Sequence, residues 1–216
     1  MLQFSVAGFH RLCDAVAAAD NDLKKIIDTY GYPPCWERAN TFESLVHIIL
    51  EQQVSLASAL SALNKLREKI TDVTPDKVLA LTDAALKACY FSRQKAVYVR
   101  DLAQHLMSGR LCLAKLEKAT DEDVRKQLKA VKGIGDWTVD IYLIFIVHHA
   151  DVFPAGDLAA VNALKKIKAL PAHTDKEAML AIAGKWSPYR SIATMLLWHS
   201  YLEERKSGNR KKKPSQ

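Results

Sequence analysis

The run Lys132-Gly133-Ile134-Gly135-Asp136-Trp137 constrains this chain more than any other stretch. An apolar helical pattern containing Leu128 and Val131 leads into it, and a second, with Val139, Ile141, Tyr142 and Ile144, leads out. The order predicts helix, tight Gly-x-Gly turn and helix over about residues 121–147. Two glycines one residue apart permit a bend that side chains would block, and they uncover amide N–H groups at the start of the second helix. Such amides attract a phosphate. A plain corner between two helices uses the same residue types, so the turn alone leaves both readings open.

Helix start signals recur along the whole sequence, while the alternation expected of strands is almost absent. Asn40 with Glu43 is placed as a capping pair before Phe42, Leu45, Val46, Ile48 and Ile49, and Ser55 opens the next helix through Leu56, Leu60, Leu63 and Leu66. Thr74-Pro75 is a cap followed by proline in the first turn, Ser92 begins a helix that Gly109 can end, and Thr120 with Asp123 starts the first leg of the hairpin. Asp157 precedes Leu158, Val161, Leu164 and Ile167, Thr174 and Glu177 form a capping box, and Ser187-Pro188 opens the last helix. The expected fold class is all-α with about ten helices. At 216 residues and 49% apolar content, the chain can bury one core or two small ones, and no linker separates them in sequence.

The net charge of +7 invites a nucleic-acid partner, but its distribution matters more than its total. Arg205, Lys206, Arg210, Lys211, Lys212 and Lys213 carry six positive charges with no acid among residues 205–216, which leaves +1 for the rest. That segment reads as a basic disordered tail behind a domain of residues 1–204. Cys13, Cys35, Cys89 and Cys112 lie far apart, without a Cys-x-x-Cys pair, so they read as reduced core thiols and not as metal ligands. No apolar run approaches the roughly 18 residues of a membrane helix. Met1 to Ala7 lacks the charged-then-apolar order of a secretory signal.

Four features in one order carry a resemblance: Glu51-Gln52-Gln53-Val54-Ser55, the glycine hairpin, Phe153-Pro154-Ala155-Gly156-Asp157-Leu158, and Trp186-Ser187-Pro188-Tyr189-Arg190-Ser191. Together, across roughly Pro33 to Tyr201, they resemble the alkylbase DNA glycosylases of the DNA-3-methyladenine glycosylase II type, in the helix-hairpin-helix superfamily. The resemblance implies two helical lobes with the active-site cleft between them, and a monomer acting on duplex DNA that contains alkylated purines. It implies base flipping and hydrolysis of the N-glycosidic bond in base excision repair. A positively charged alkylated base is already a good leaving group, so one carboxylate can suffice.

Asp157 matches the family's catalytic Asp, where a carboxylate near C1′ would stabilise oxocarbenium character and orient or activate water. An aspartate ahead of an apolar helix can equally be an N-cap, and the two roles are compatible. Trp137 stands where bifunctional relatives carry a lysine that attacks C1′, and an indole cannot form a Schiff base, so no lyase step is implied. Trp137, Trp198 and Ile141 match base-pocket positions, with indole rings suited to a cationic purine. Gln53, with Gln52 beside it, matches the wedge that enters the gap left by the flipped base.

Lys132, Gly133, Ile134, Gly135 and Arg190 match positions on the DNA backbone, and Asp136 is placed either to cap its helix or to oppose the phosphate. The carbonyls of Lys129, Val131 and Ile134 match those that hold a Na⁺ or K⁺ ion in family members; no cofactor is required otherwise. Two other readings use fewer of these residues: a non-catalytic duplex-binding module needs the hairpin alone, and a glycosylase for another damaged base would keep the aspartate. An intracellular site at the bacterial nucleoid is expected, or the nucleus of a eukaryote.

Overall fold

The computed structural model describes residues 2–211, with side chains as far as Ser207. Thirteen α-helices form among the described residues, joined by a short 3-10 turn at Val6–Gly8 and an isolated antiparallel bridge between Gln3 and His149. The chain opens with α1 (Phe9–Ala19) and α2 (Asn21–Tyr30). It continues through α3 (Phe42–Glu51), α4 (Leu56–Ile70), α5 (Pro75–Ala80), α6 (Asp83–Ala88), α7 (Arg93–Met107), α8 (Leu113–Leu116), α9 (Asp121–Lys129) and α10 (Asp136–Phe145). Helices α11 (Leu158–Ile167), α12 (Lys176–Gly184) and α13 (Arg190–Lys211) complete it. Two units result: residues 38–147 form one, and residues 1–37 with 148–216 form the other. No described helix is long and apolar enough to cross a membrane.

The helix starts follow their capping chemistry, with three shifts from the sequence reading. Ser55, Ser92 and Thr120 accept from the amides of Ser58, Lys95 and Asp123 at 3.1, 3.2 and 3.1 Å, as N-caps do. The cap of α3, however, is Thr41, whose hydroxyl accepts the Ser44 amide at 3.2 Å. Asn40 turns elsewhere: its amide donates to the Leu113 carbonyl at 3.0 Å, and its oxygen accepts the buried Tyr142 hydroxyl at 2.9 Å. Likewise Asp175 caps α12 at 2.8 Å, while the Thr174 hydroxyl donates to Pro171 O at 2.7 Å. Helix α13 begins at Arg190, after a cis Ser187-Pro188 bond.

Helix α13 also continues to Lys211, past Arg205 where the sequence reading starts a disordered tail. Arg205 donates to the Tyr201 hydroxyl at 2.8 Å, and Lys206 pairs with Glu203 at 2.7 Å, spacings that support a helix. Residues 212–216 lie outside the described residues.

In the unit of residues 38–147, Leu45, Ile48 and Ile49 of α3 pack with Leu63 and Leu66 of α4 and Val99 and Leu102 of α7 in a buried apolar core. The hairpin legs add Val124 and Leu128 from α9, and Val139, Tyr142, Leu143 and Ile144 from α10. In the other unit, α13 presents Ile192, Met195, Leu196 and Leu197 among α1, α2 and α11, which bury Phe9, Cys13, Leu23, Ile26 and Leu164. Cys13 and Cys89 are buried as expected of core thiols, whereas Cys35 and Cys112 are half-buried.

Candidate active site

Asp157 is the N-cap of α11, with extended backbone. Its Oδ1 accepts the Ala160 amide at 2.8 Å and the Trp198 indole N–H at 2.9 Å. The turn before it closes through Asp157 N–H to Pro154 O at 2.8 Å, so the carboxylate has a fixed origin and two donors that orient it. Both readings of Asp157 begin here: the cap is real, and the group is half-buried, not sealed in the core. Trp198, 7% exposed, meets Trp36 edge-on at 6.5 Å between centroids. Sequence reasoning passed over Trp36, because nothing local ties it to a residue so far along the chain.

The loop that delivers Asp157 is tied to the start of α13. Arg190 forks onto Asp151, with Nε to Oδ1 at 2.7 Å and Nη2 to Oδ2 at 3.0 Å. Burial would raise the Asp151 carboxyl, but the Arg190 and Ser187 hydrogen bonds outweigh it and hold the pKa low. The buried Ser191 hydroxyl donates to His149 O at 2.6 Å and accepts Val152 N–H at 3.0 Å. Arg190, expected on the DNA backbone, here matches its planar fork to a carboxylate within its own unit. Trp186, ahead of the same helix, donates its indole N–H to Asp20 at 2.8 Å.

In the other unit, α9 and α10 are pinned as a pair. Arg125 reaches Asp140 at 2.5 Å, and Lys129 reaches Asp136 at 2.8 Å. Asp136 is therefore not a cap: Gly135 holds that position, and the Asp136 charge is met by Lys129. Gly133 has φ +83, and a Cβ there would run into the Tyr98 ring. Gly135 differs, with φ −110 and nothing within 4 Å of where a Cβ would stand.

Two other amides of the turn are already in use. Lys132 N–H donates to Asp101 Oδ2 at 2.7 Å, and Ile134 N–H to Val131 O at 3.2 Å. Ile134 itself is buried, and the amides expected to meet a phosphate, those of Gly133 and Gly135, are different ones. The exposed Lys132 side chain and the glycine edge of the turn are what remain to face an anion.

Gln52 and Gln53, adjacent in sequence, diverge in structure. The Gln52 amide donates to Gly133 O at 2.9 Å and to Thr138 Oγ1 at 3.0 Å, so it is a strut and not part of a wedge. Gln53 is exposed, with φ +58. Trp137 is half-buried in the first turn of α10, and Ile141, expected in a base pocket, is only 3% exposed and packs in the core. The carbonyl of Lys129 ends α9, and those of Val131 and Ile134 follow on the turn, where Val131 O accepts the Ile134 amide at 3.2 Å; neutral oxygens at a chain reversal suit an alkali ion.

A glycine-turned pair of helices in one unit and a braced aspartate before a helix in the other define the class of fold. The chain belongs to the HhH-GPD superfamily of base excision DNA repair proteins, whose sequence profile matches residues 46–188. DNA-3-methyladenine glycosylase 1 of Schizosaccharomyces pombe is 27% identical over 180 residues, covering 82% of this chain and 79% of that one. The Bacillus subtilis protein YfjP is 28% identical over 186 residues; the alignment covers 82% of this chain and 65% of YfjP. The solved structure of the S. pombe 3-methyladenine DNA glycosylase Mag1 in complex with abasic DNA superposes with a TM-score of 0.80 at 26% identity, over 87% of this chain and 95% of that chain.

Proposed function

We propose that this protein is a monofunctional glycosylase that removes alkylated purines, such as 3-methyladenine and 7-methylguanine, from duplex DNA. The observation that carries the reading is the Asp157 carboxylate, aimed by the Ala160 amide and the Trp198 indole onto one oxygen. The C1′–N bond breaks with its electron pair leaving on the cationic base, the sugar gains positive charge, and Asp157 stabilises that charge. Water then adds to C1′ and gives up a proton, and the products are free base and an abasic site. A carboxylate oriented before the reaction does this without reorganising.

Trp137 serves as the stacking surface for the flipped base, and Trp198 as the group that orients Asp157. Gln53 enters the gap in the duplex. Lys132 and the turn from Gly133 to Gly135 hold a phosphate; Gly135 supports this, since nothing inside the protein requires a glycine there. The carbonyls of Lys129, Val131 and Ile134 would hold a Na⁺ or K⁺ ion, which adds positive charge where a phosphate approaches. Such an enzyme works beside the genome, in the bacterial nucleoid or a eukaryotic nucleus.

The test is Asp157→Asn on a duplex carrying one 7-methylguanine. Asn caps helices as well as Asp and keeps an oxygen for both donors, so the melting temperature should hold while base release falls by about 100-fold or more. Wild-type protein should leave the abasic strand unbroken and give no adduct on borohydride treatment, because Trp137 has no amine. Equal base release by the variant overturns the catalytic role of Asp157; a trapped adduct overturns the hydrolytic mechanism.

A further inference from the structure

The loop between α3 and α4 is anchored on both sides of Gln53. Upstream, the Leu50 carbonyl accepts Lys95 Nζ at 2.5 Å, and Glu51 is forked by Arg38 at 2.6 and 3.0 Å. Downstream, Ser55 caps α4. Between them Gln53 sits in the left-handed region, which is unfavourable for a residue with a Cβ and persists only where the surroundings dictate it. The adjacent Gln52 supplies that constraint, spending both amide hydrogens on the hairpin, at Gly133 O and Thr138 Oγ1.

The hairpin is itself seated. Asp101 of α7 holds Lys132 N–H, and the Tyr98 ring lies against Gly133 where a side chain would otherwise be. Gln52 therefore joins two parts that must act on one duplex at a fixed offset: the turn that faces a phosphate, and the residue that enters the helix stack. An error of about 1 Å in that offset can cost two orders of magnitude in a positioned reaction. We propose that Gln52 is a positioning residue, which sets Gln53 relative to the hairpin and acts on DNA only through Gln53. The inference rests on the glycosylase reading for its purpose, but not for its test.

The test is a double-mutant cycle on a duplex with a tetrahydrofuran abasic analogue and 2-aminopurine opposite it, read by fluorescence as the gap is filled. Gln52→Glu keeps the size of the side chain but cannot donate to Gly133 O, and Gln52→Met gives the same loss without a buried charge. Each should weaken the gap-filling signal about tenfold, as should Gln53→Ala, and the double variants should be no worse than Gln53→Ala alone. A further tenfold loss in the Gln53→Ala background, or single variants at either position that match wild type, overturns the proposal. The duplex has no scissile base, so failure of the glycosylase reading would show separately, in the release of 7-methylguanine.

Discussion

Asp20 holds three segments of its unit with one carboxylate. It caps α2 through the Asp22 amide at 3.0 Å, accepts the Trp186 indole at 2.8 Å, and pairs with Lys168 Nζ at 2.7 Å, which also reaches Asp22 at 2.9 Å. Burial raises the Asp20 pKa, but the Lys168 and Trp186 hydrogen bonds outweigh it and leave the pKa lowered. A carboxyl lowered on folding stabilises the native state above its ordinary pKa, and that stabilisation is lost as the pH falls through the folded value. Asp20→Asn keeps the cap and removes the charge, so it should cost about 1–2 kcal/mol at pH 7. The gap from wild type should close as thermal melts are taken below about pH 4. A gap that is the same at every pH would mean that the charge contributes nothing.

At the scale of elements, the two hairpin glycines make different demands. Gly133→Ala must move Tyr98 and hold a positive φ, which should destabilise the fold by about 1–3 kcal/mol. Gly135→Ala should leave the melting temperature unchanged and weaken duplex binding, read side by side by calorimetry and by titration with DNA. If Gly135→Ala bound DNA like wild type, the turn would not be the phosphate contact. The hairpin and most helix starts were legible because their signals are local: Ser55, Ser92, Thr120 and Asp157 each bond an amide three residues on. Asn40 and Thr174 were misread because Thr41 and Asp175, one place along, offer the same capping chemistry, and these two hold the extended backbone of an N-cap. Site partners were not legible, since the Asp157 to Trp198 and Gln52 to Gly133 bonds span 41 and 81 residues, and no local pattern records them.

Across the whole molecule, the same limit hid the division into units. The chain passes between them at Glu37 to Arg38 and at Val147 to His148; the first crossing follows Gly31, Pro33 and Pro34 in a stretch without helix, while the second, at Val147-His148-His149, has none of the Pro, Gly and Ser composition of a linker. The unit with the hairpin is one continuous stretch, residues 38–147, while the unit with Asp157 needs residues 1–37 and 148–216 together. Vectorial synthesis turns that connectivity into a schedule. At roughly 5–20 residues per second, the hairpin unit can close on the ribosome several seconds before α13 emerges to cover α1 and α2. Nascent chains arrested once residue 147 has cleared the exit tunnel should already protect α3 to α10 from protease, with α1 and α2 still cleavable; protection of both together would contradict the order. On the proposed reading, the turn that meets a phosphate would then exist before the carboxylate that acts on the sugar, so a half-made chain would bind DNA without releasing a base.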